Sequence, residues 1–137
     1  MTTPFGPQLI GETEKTLNAL LLRHLDGTDI SEPEWVTLRV ANMLDGNVDR
    51  DGLARAVAER AHFTDAPHLV DQLAARGLLD DGRLTATGRT FLARIQASLA
   101  DDTTAIFDDL PANDVDATER VLNELVTRAR VALASAR

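Results

Sequence analysis

With 137 residues, no cysteine and 44% hydrophobic content, the chain is long enough for one domain with a real core, and disulfides, thiolate metal ligands and thiol redox chemistry are excluded. A formal net charge of −8 argues against nonspecific attachment to nucleic acid, whose phosphate affinity comes from clustered Lys and Arg. The densest apolar run, Ala19 to Leu22, is far too short to span a bilayer, and the N-terminus lacks a basic start followed by an apolar stretch, so a soluble cytoplasmic protein with no membrane partner is expected.

The charge is unevenly spread. Residues 1–48 and 95–137 each carry net −4, whereas 49–94 hold 7 acids and 7 bases. Thirteen of the fourteen bases are Arg, the residue better suited to bidentate phosphate or guanine contacts, although codon bias accounts for the count better than functional choice does.

From Gln8 to Leu25 apolar residues fall at helical spacing, with Leu9, Ile10, Leu17, Leu20, Leu21 and Leu25 on the stripe. "DGTDI" breaks this helix. Ser31 followed by Glu34 is a capping-box pattern that opens a second helix carrying Trp35, Leu38 and Met43 and stopping near "LDGN". Asp49 can cap a third, with Leu53 and Val57 inward. Thr64 is the expected cap of a fourth, "DAPHLVDQLAAR", where Pro67 is tolerated in the first turn and Gly77 ends the helix. The dipeptide Asp81-Gly82 then predicts a two-residue hairpin with Leu79 opposite Leu84 and Asp80 opposite Arg83. Thr85 or Thr87 caps a long helix through Phe91, Leu92, Ile95, Leu99, Ile106, Phe107 and Leu110, closed by Pro111. A last helix from about Val115 carries Val121, Leu122, Leu125, Val126, Ala129 and Leu133.

Three short helices and a hairpin are the order of a winged helix-turn-helix. The fold class expected is mostly α with a small two-stranded wing, framed by N- and C-terminal dimerisation helices. The apolar faces of those outer helices exceed what so small a lobe can cover, which predicts burial across a two-fold axis.

The same order, with "LVDQLAARGLL" (Leu69 to Leu79) followed closely by "LTATGR" (Leu84 to Arg89), resembles the MarR-type transcriptional regulators, and "DDLPANDVDATERVLNEL" is similar to their final loop and last helix. The resemblance covers residues 1–137 as a single domain. It implies a winged-helix DNA-binding lobe at 31–90 and a helical dimerisation lobe from 8–25 and 91–137. It further implies a homodimer on a pseudo-palindromic operator in double-stranded DNA, often released by a small-molecule effector bound between lobes. No cofactor is implied. Two departures stand out: the wing is cut to Leu78 through Thr85, and "RAHFTDAP" differs in length from the family's usual turn before the recognition helix. Strands of three residues reach only about 10 Å at ~3.3 Å each, so Arg83 can meet a phosphate but hardly a groove floor.

In the recognition helix Leu69, Val70 and Leu73 take the inward stripe, leaving Asp65, His68, Asp71, Gln72 and Arg76 outward or flanking. Gln72 suits adenine and Arg76 guanine or phosphate. Thr64 and Asp65 mark a helix N-terminus whose N–H groups can meet a phosphate, and Arg83 and Arg89 would track the backbone. Asp71 is expected to orient a neighbour. Leu9, Ile10, Leu17, Leu20, Val121, Leu122, Leu125 and Val126 are the dimerisation candidates. His24 could line a dimer or ligand cavity, and Trp35, expected in the core with Phe91 and Phe107, could border such a pocket. His62 and His68 lack a third ligand, so no metal site is expected. Adjacent Asp pairs point in different directions on a helix, and no catalytic motif is present, so no enzyme is expected. The alternative is a MarR-like dimer that has lost DNA binding and serves as a ligand-binding or protein-interaction module.

Overall fold

The computed structural model describes residues 2–135; the ends of the expected 1–137 domain, Met1 and residues 136–137, lie outside them. Six helices and one antiparallel hairpin follow in the order α1 (Pro7–Leu25), α2 (Glu32–Leu44), α3 (Arg50–Ala61), α4 (Ala66–Ala75), β1 (Leu79–Asp80), β2 (Arg83–Leu84), α5 (Ala86–Phe107) and α6 (Ala112–Ser135). The chain is therefore mostly helical with a small two-stranded sheet. No described helix is long and apolar enough to cross a membrane. Two compact units divide it, residues 1–100 and residues 101–137.

The first unit starts helices where local chemistry dictates. Ser31 Oγ accepts the Glu34 N–H at 3.2 Å while Glu34 Oε1 accepts the Ser31 N–H at 2.9 Å, so the capping box is complete at α2. Asp49 Oδ1 accepts the Gly52 N–H at 2.8 Å at the start of α3. Thr85, rather than Thr87, caps α5, with its hydroxyl accepting the Gly88 N–H at 3.0 Å and donating to the Gly77 carbonyl at 2.6 Å. The expected cap at Thr64 is a correction. Asp65 occupies the N-cap of α4, and no side chain closes that first turn. With φ −102° and ψ 23°, Asp65 lies outside the extended region from which a cap side chain folds back over its helix.

At the other end of α4 the Leu78 N–H bonds the Leu73 carbonyl and the Gly77 N–H bonds Ala74, both at 3.0 Å. Gly77, at φ +78°, supplies the left-handed residue this double closure requires. The hairpin then pairs Leu79 with Leu84 and Asp80 with Arg83, and both turn residues, Asp81 and Gly82, have positive φ.

The core of this unit joins Leu25 of α1, Trp35 and Leu38 of α2, Leu53 and Val57 of α3, Val70 and Leu73 of α4, Leu79 and Leu84 of the hairpin, and Leu92 and Ile95 of α5. Trp35 is only 3% exposed and is core. Met43, at 53% exposed, does not join the inward stripe of α2.

The second unit comprises the end of α5, a short link and α6. The long helix stops at Phe107 rather than reaching Leu110. Leu110 precedes Pro111, which disfavours helical geometry at that residue. α6 begins at Ala112, three residues before the expected start, with the Val115 N–H bonding the Pro111 carbonyl at 3.0 Å. Phe107, expected in the core, is 50% exposed, and no α6 residue is buried.

Candidate nucleic-acid interface

Helices α3 and α4 pack together, linked by residues 62–65, in which His62 closes α3 in the left-handed conformation at φ +60°. Leu69, Val70 and Leu73 turn into the core, and the opposite side of α4 shows Asp65, Pro67, His68, Asp71, Gln72 and Ala75 to solvent. Thr64 is exposed beside its start. The split between buried stripe and polar face is the one the sequence predicts.

Arg50, the first residue of α3, reaches this face: its Nη2 lies 2.7 Å from Asp71 Oδ1. Asp71 therefore does orient a neighbour, and the neighbour comes from another helix. The same residue links the hairpin, because its backbone N–H points to Asp81 Oδ1 at 3.4 Å. Gly82 is buried against the chain at Val48 and Asp49, with no room for a side chain. The tip of the hairpin thus rests on the start of α3, which in turn touches the exposed face of α4.

The candidate bases differ in what holds them. Arg76 Nη1 donates to the Asp29 carbonyl at 2.6 Å and lies 3.8 Å from Glu34 Oε2, which anchors it to the segment between α1 and α2. Arg89 Nη1 donates to the Leu84 carbonyl at 2.9 Å. Arg83 extends over Gly46, where its Cζ would stand 3.6 Å from a Cβ. Gly46 has φ +77° and ends the turn after α2, so it both makes the bend and leaves a flat floor for the guanidinium.

Away from this region, His24 Nδ1 meets Ser98 Oγ at 3.1 Å. The Ser98 hydroxyl also donates to the Ile95 carbonyl at 2.9 Å. An open groove of about 520 Å³ runs beside Val36, Arg39, Val40, Met43, Arg60 and Gln96; neither His24 nor Trp35 lines it. Glu32, at the first turn of α2, has its carboxyl pushed above the ordinary value by partial burial and by Glu14 of α1. Among the described residues no cluster of three or more His, Asp or Glu is arranged for a metal ion.

Of the dimerisation candidates, Leu9, Leu20 and Leu125 are half-buried within the chain, while Ile10, Leu17, Val121, Leu122 and Val126 are exposed.

Sequence reasoning missed Arg50, Asn42, Asp45 and Gly46. Arg50 meets Asp71 and Asp81, Gly46 lies under Arg83, and Asn42 and Asp45 line the same cleft as Arg83, all distant in sequence; only "DG" at 45–46, read as a helix stop, was a local signal. No protein-family model, curated protein or solved structure matches this chain.

Proposed function

We propose that the chain is a MarR-like winged-helix transcriptional regulator that binds a pseudo-palindromic site in double-stranded DNA as a homodimer. The observation that carries this reading is the coupling of three elements: α4 with an exposed polar face, α3 packed behind it, and a two-stranded hairpin seated on the start of α3. In this reading α4 is the recognition helix and enters the major groove with His68 and Gln72, and Gln72 is the base reader. The uncapped start of α4, at Thr64 and Asp65, offers backbone N–H groups to a phosphate. The hairpin is a short wing whose Arg83 and Arg89 approach the sugar-phosphate chain. Arg76, bonded to Asp29, belongs to the frame that holds α4 in place.

Dimerisation is supported by apolar side chains left in water along α1 and α6, among them Ile10, Leu17, Val121, Leu122 and Val126. A single chain that exposes so many along two helices has a strong drive to associate. Release by a small-molecule effector belongs to the same reading, with the groove beside Met43 as an available cavity.

Fluorescence anisotropy with a duplex from the chain's own upstream region tests the reading, at low and moderate salt. Binding that Gln72→Ala shifts at one half-site position supports it. No binding at either salt overturns it. The second reading, a MarR-like dimer serving as a ligand-binding or protein-interaction module, is favoured by one observation: the exposed face of α4 carries Asp65 and Asp71, and Arg50, which reaches it, is paired with Asp71.

A further inference from the structure

A small cleft of about 110 Å³ opens between the end of α2 and the hairpin, lined by Ala41, Asn42, Asp45, Gly46, Arg83, Leu84 and Arg89. Two guanidiniums border it. Arg83 is laid over Gly46, and Arg89 is held by the Leu84 carbonyl, so each is placed while keeping donors to spare. Some other arginines are spent on acids or rings: Arg50 on Asp71, Arg128 on Glu124, Arg94 over the Phe91 ring. Among the described residues neither Arg83 nor Arg89 makes an ion pair, although Asp45 lines the same cleft.

We infer that this cleft is a site for one tetrahedral phosphate, held by Arg83 and Arg89 with the Asn42 side chain as a further donor, and that its source is a phosphodiester of the duplex backbone. The volume is ample for one tetrahedral oxyanion. Two guanidiniums against one carboxylate leave it net positive, in a chain that is net negative. Its position follows from the contacts already described: Arg83 lies two residues from Asp81, which meets Arg50, which meets Asp71 on α4. A phosphate seated here flanks the reading face rather than lying across it. The inference rests on the duplex-binding reading for the source of the phosphate, and on the cleft alone for its chemistry.

Asp45 supplies the decisive variant. It sits at φ +49°, a conformation that Asn adopts readily, so Asp45→Asn removes the one opposing charge without disturbing the turn. Asp80→Asn makes the same change of charge on the hairpin outside the cleft. With a mixed-sequence duplex, Asp45→Asn is expected to tighten binding about fivefold, the effect of one unit charge at ~4 Å in water, and Asp80→Asn clearly less. Arg83→Gln and Arg89→Gln are each expected to weaken binding and to lower the slope of log K against log salt by up to ~0.9, one phosphate contact. Equal gains from the two Asp variants, or slopes unchanged in both Arg variants, overturn the site.

A second arm separates the two claims. Inorganic phosphate is titrated into 15N-labelled parent protein while the arginine Nε–H signals are followed. Saturable shifts at Arg83 and Arg89, lost in Arg83→Gln, support the cleft even if the parent binds no duplex; the source is then a free phosphate compound and the regulator reading fails alone. No shift at either residue, with no duplex binding, overturns the cleft.

Discussion

Replacing Gly82 by alanine tests whether the hairpin is seated on α3 or merely hangs beside it. The residue has φ +84°, and a Cβ there would lie 2.5 Å from the Asp49 carbonyl oxygen and 2.6 Å from the Val48 oxygen. Both are backbone atoms at the start of a capped helix, so neither can swing aside as a side-chain end would. Gly27 and Gly77 have nearly the same φ, +79° and +78°, with nothing within 4 Å of their built Cβ positions. Alanine at any of the three meets the left-handed penalty of roughly 1–2 kcal/mol. Only Gly82→Ala adds the cost of forcing atoms into a filled space, about 1–3 kcal/mol. Urea unfolding at one protein concentration, needed because association would itself shift the midpoint, should therefore place Gly82→Ala below both controls. With a slope of ~1–3 kcal/mol per molar, the difference is on the order of 1 M in midpoint. Three variants of equal stability would refute the seating, and with it the route from hairpin to α4.

Loss of the α2 capping box in Ser31→Ala should cost about 1 kcal/mol in the same assay; no change would mean that Glu34 and its contact with Arg76 hold this corner alone. Glu32→Gln should stabilise the protein at neutral pH. The raised carboxyl makes the folded state hold its proton more tightly than the unfolded chain, so charged Glu32 opposes folding above its folded pKa. The gain from the variant should shrink as pH falls from neutrality and vanish below the ordinary value of 4.5; a gain that instead grows on acidification would show the sign to be wrong. Val126→Asp should shift sedimentation equilibrium toward a single subunit at micromolar concentration, and an unchanged profile would remove α6 from the interface. Arg50→Ala and Asp71→Ala, combined in a double-mutant cycle, should show a coupling of at most about 1 kcal/mol, since both side chains are half in water; a much larger value would place the pair in a drier site than its exposure allows.

The features legible in the sequence are those whose causes are local. Asp81-Gly82, flanked by Asp80 and Arg83 with Leu79 and Leu84 one step further out, set the hairpin register, because a two-residue turn with positive φ leaves one pairing. The spacing of Leu69, Val70 and Leu73 gave the buried side of α4, and Ser31 with Glu34 gave the start of α2. Thr64 and Asp65 are both good caps standing side by side, and composition does not choose between them; the backbone at Asp65 left no side-chain cap at all. Phe107 shows a different limit. Periodicity reports that a residue is apolar, not that this chain contains what will cover it. The placement of Arg76 was out of reach for a third reason: its acceptor at Asp29 lies 47 residues away, so a base at a helix end reads as solvent-facing until its partner is known.

The arginines of the central region balance its acids in number, yet they are not equally available to a polyanion. Arg50 neutralises Asp71 and steadies the exposed face of α4, and Arg76 binds the chain before α2. Arg89 spends one donor on the hairpin and keeps the rest. Under the duplex-binding reading, Arg83 and Arg89 are the bases beside the hairpin left to release counterions, with Gln72 and the helix N–H groups adding affinity that depends less on salt. The hairpin then contributes less by reaching into a groove than by fixing where α3 begins. Arg50 leads from that point to Asp71, and α4 itself is held by its buried side, Leu69, Val70 and Leu73, so its exposed face is oriented mainly by packing inside the lobe. Under the same reading, such preorganisation would lower the ordering cost of binding for a lobe of no net charge.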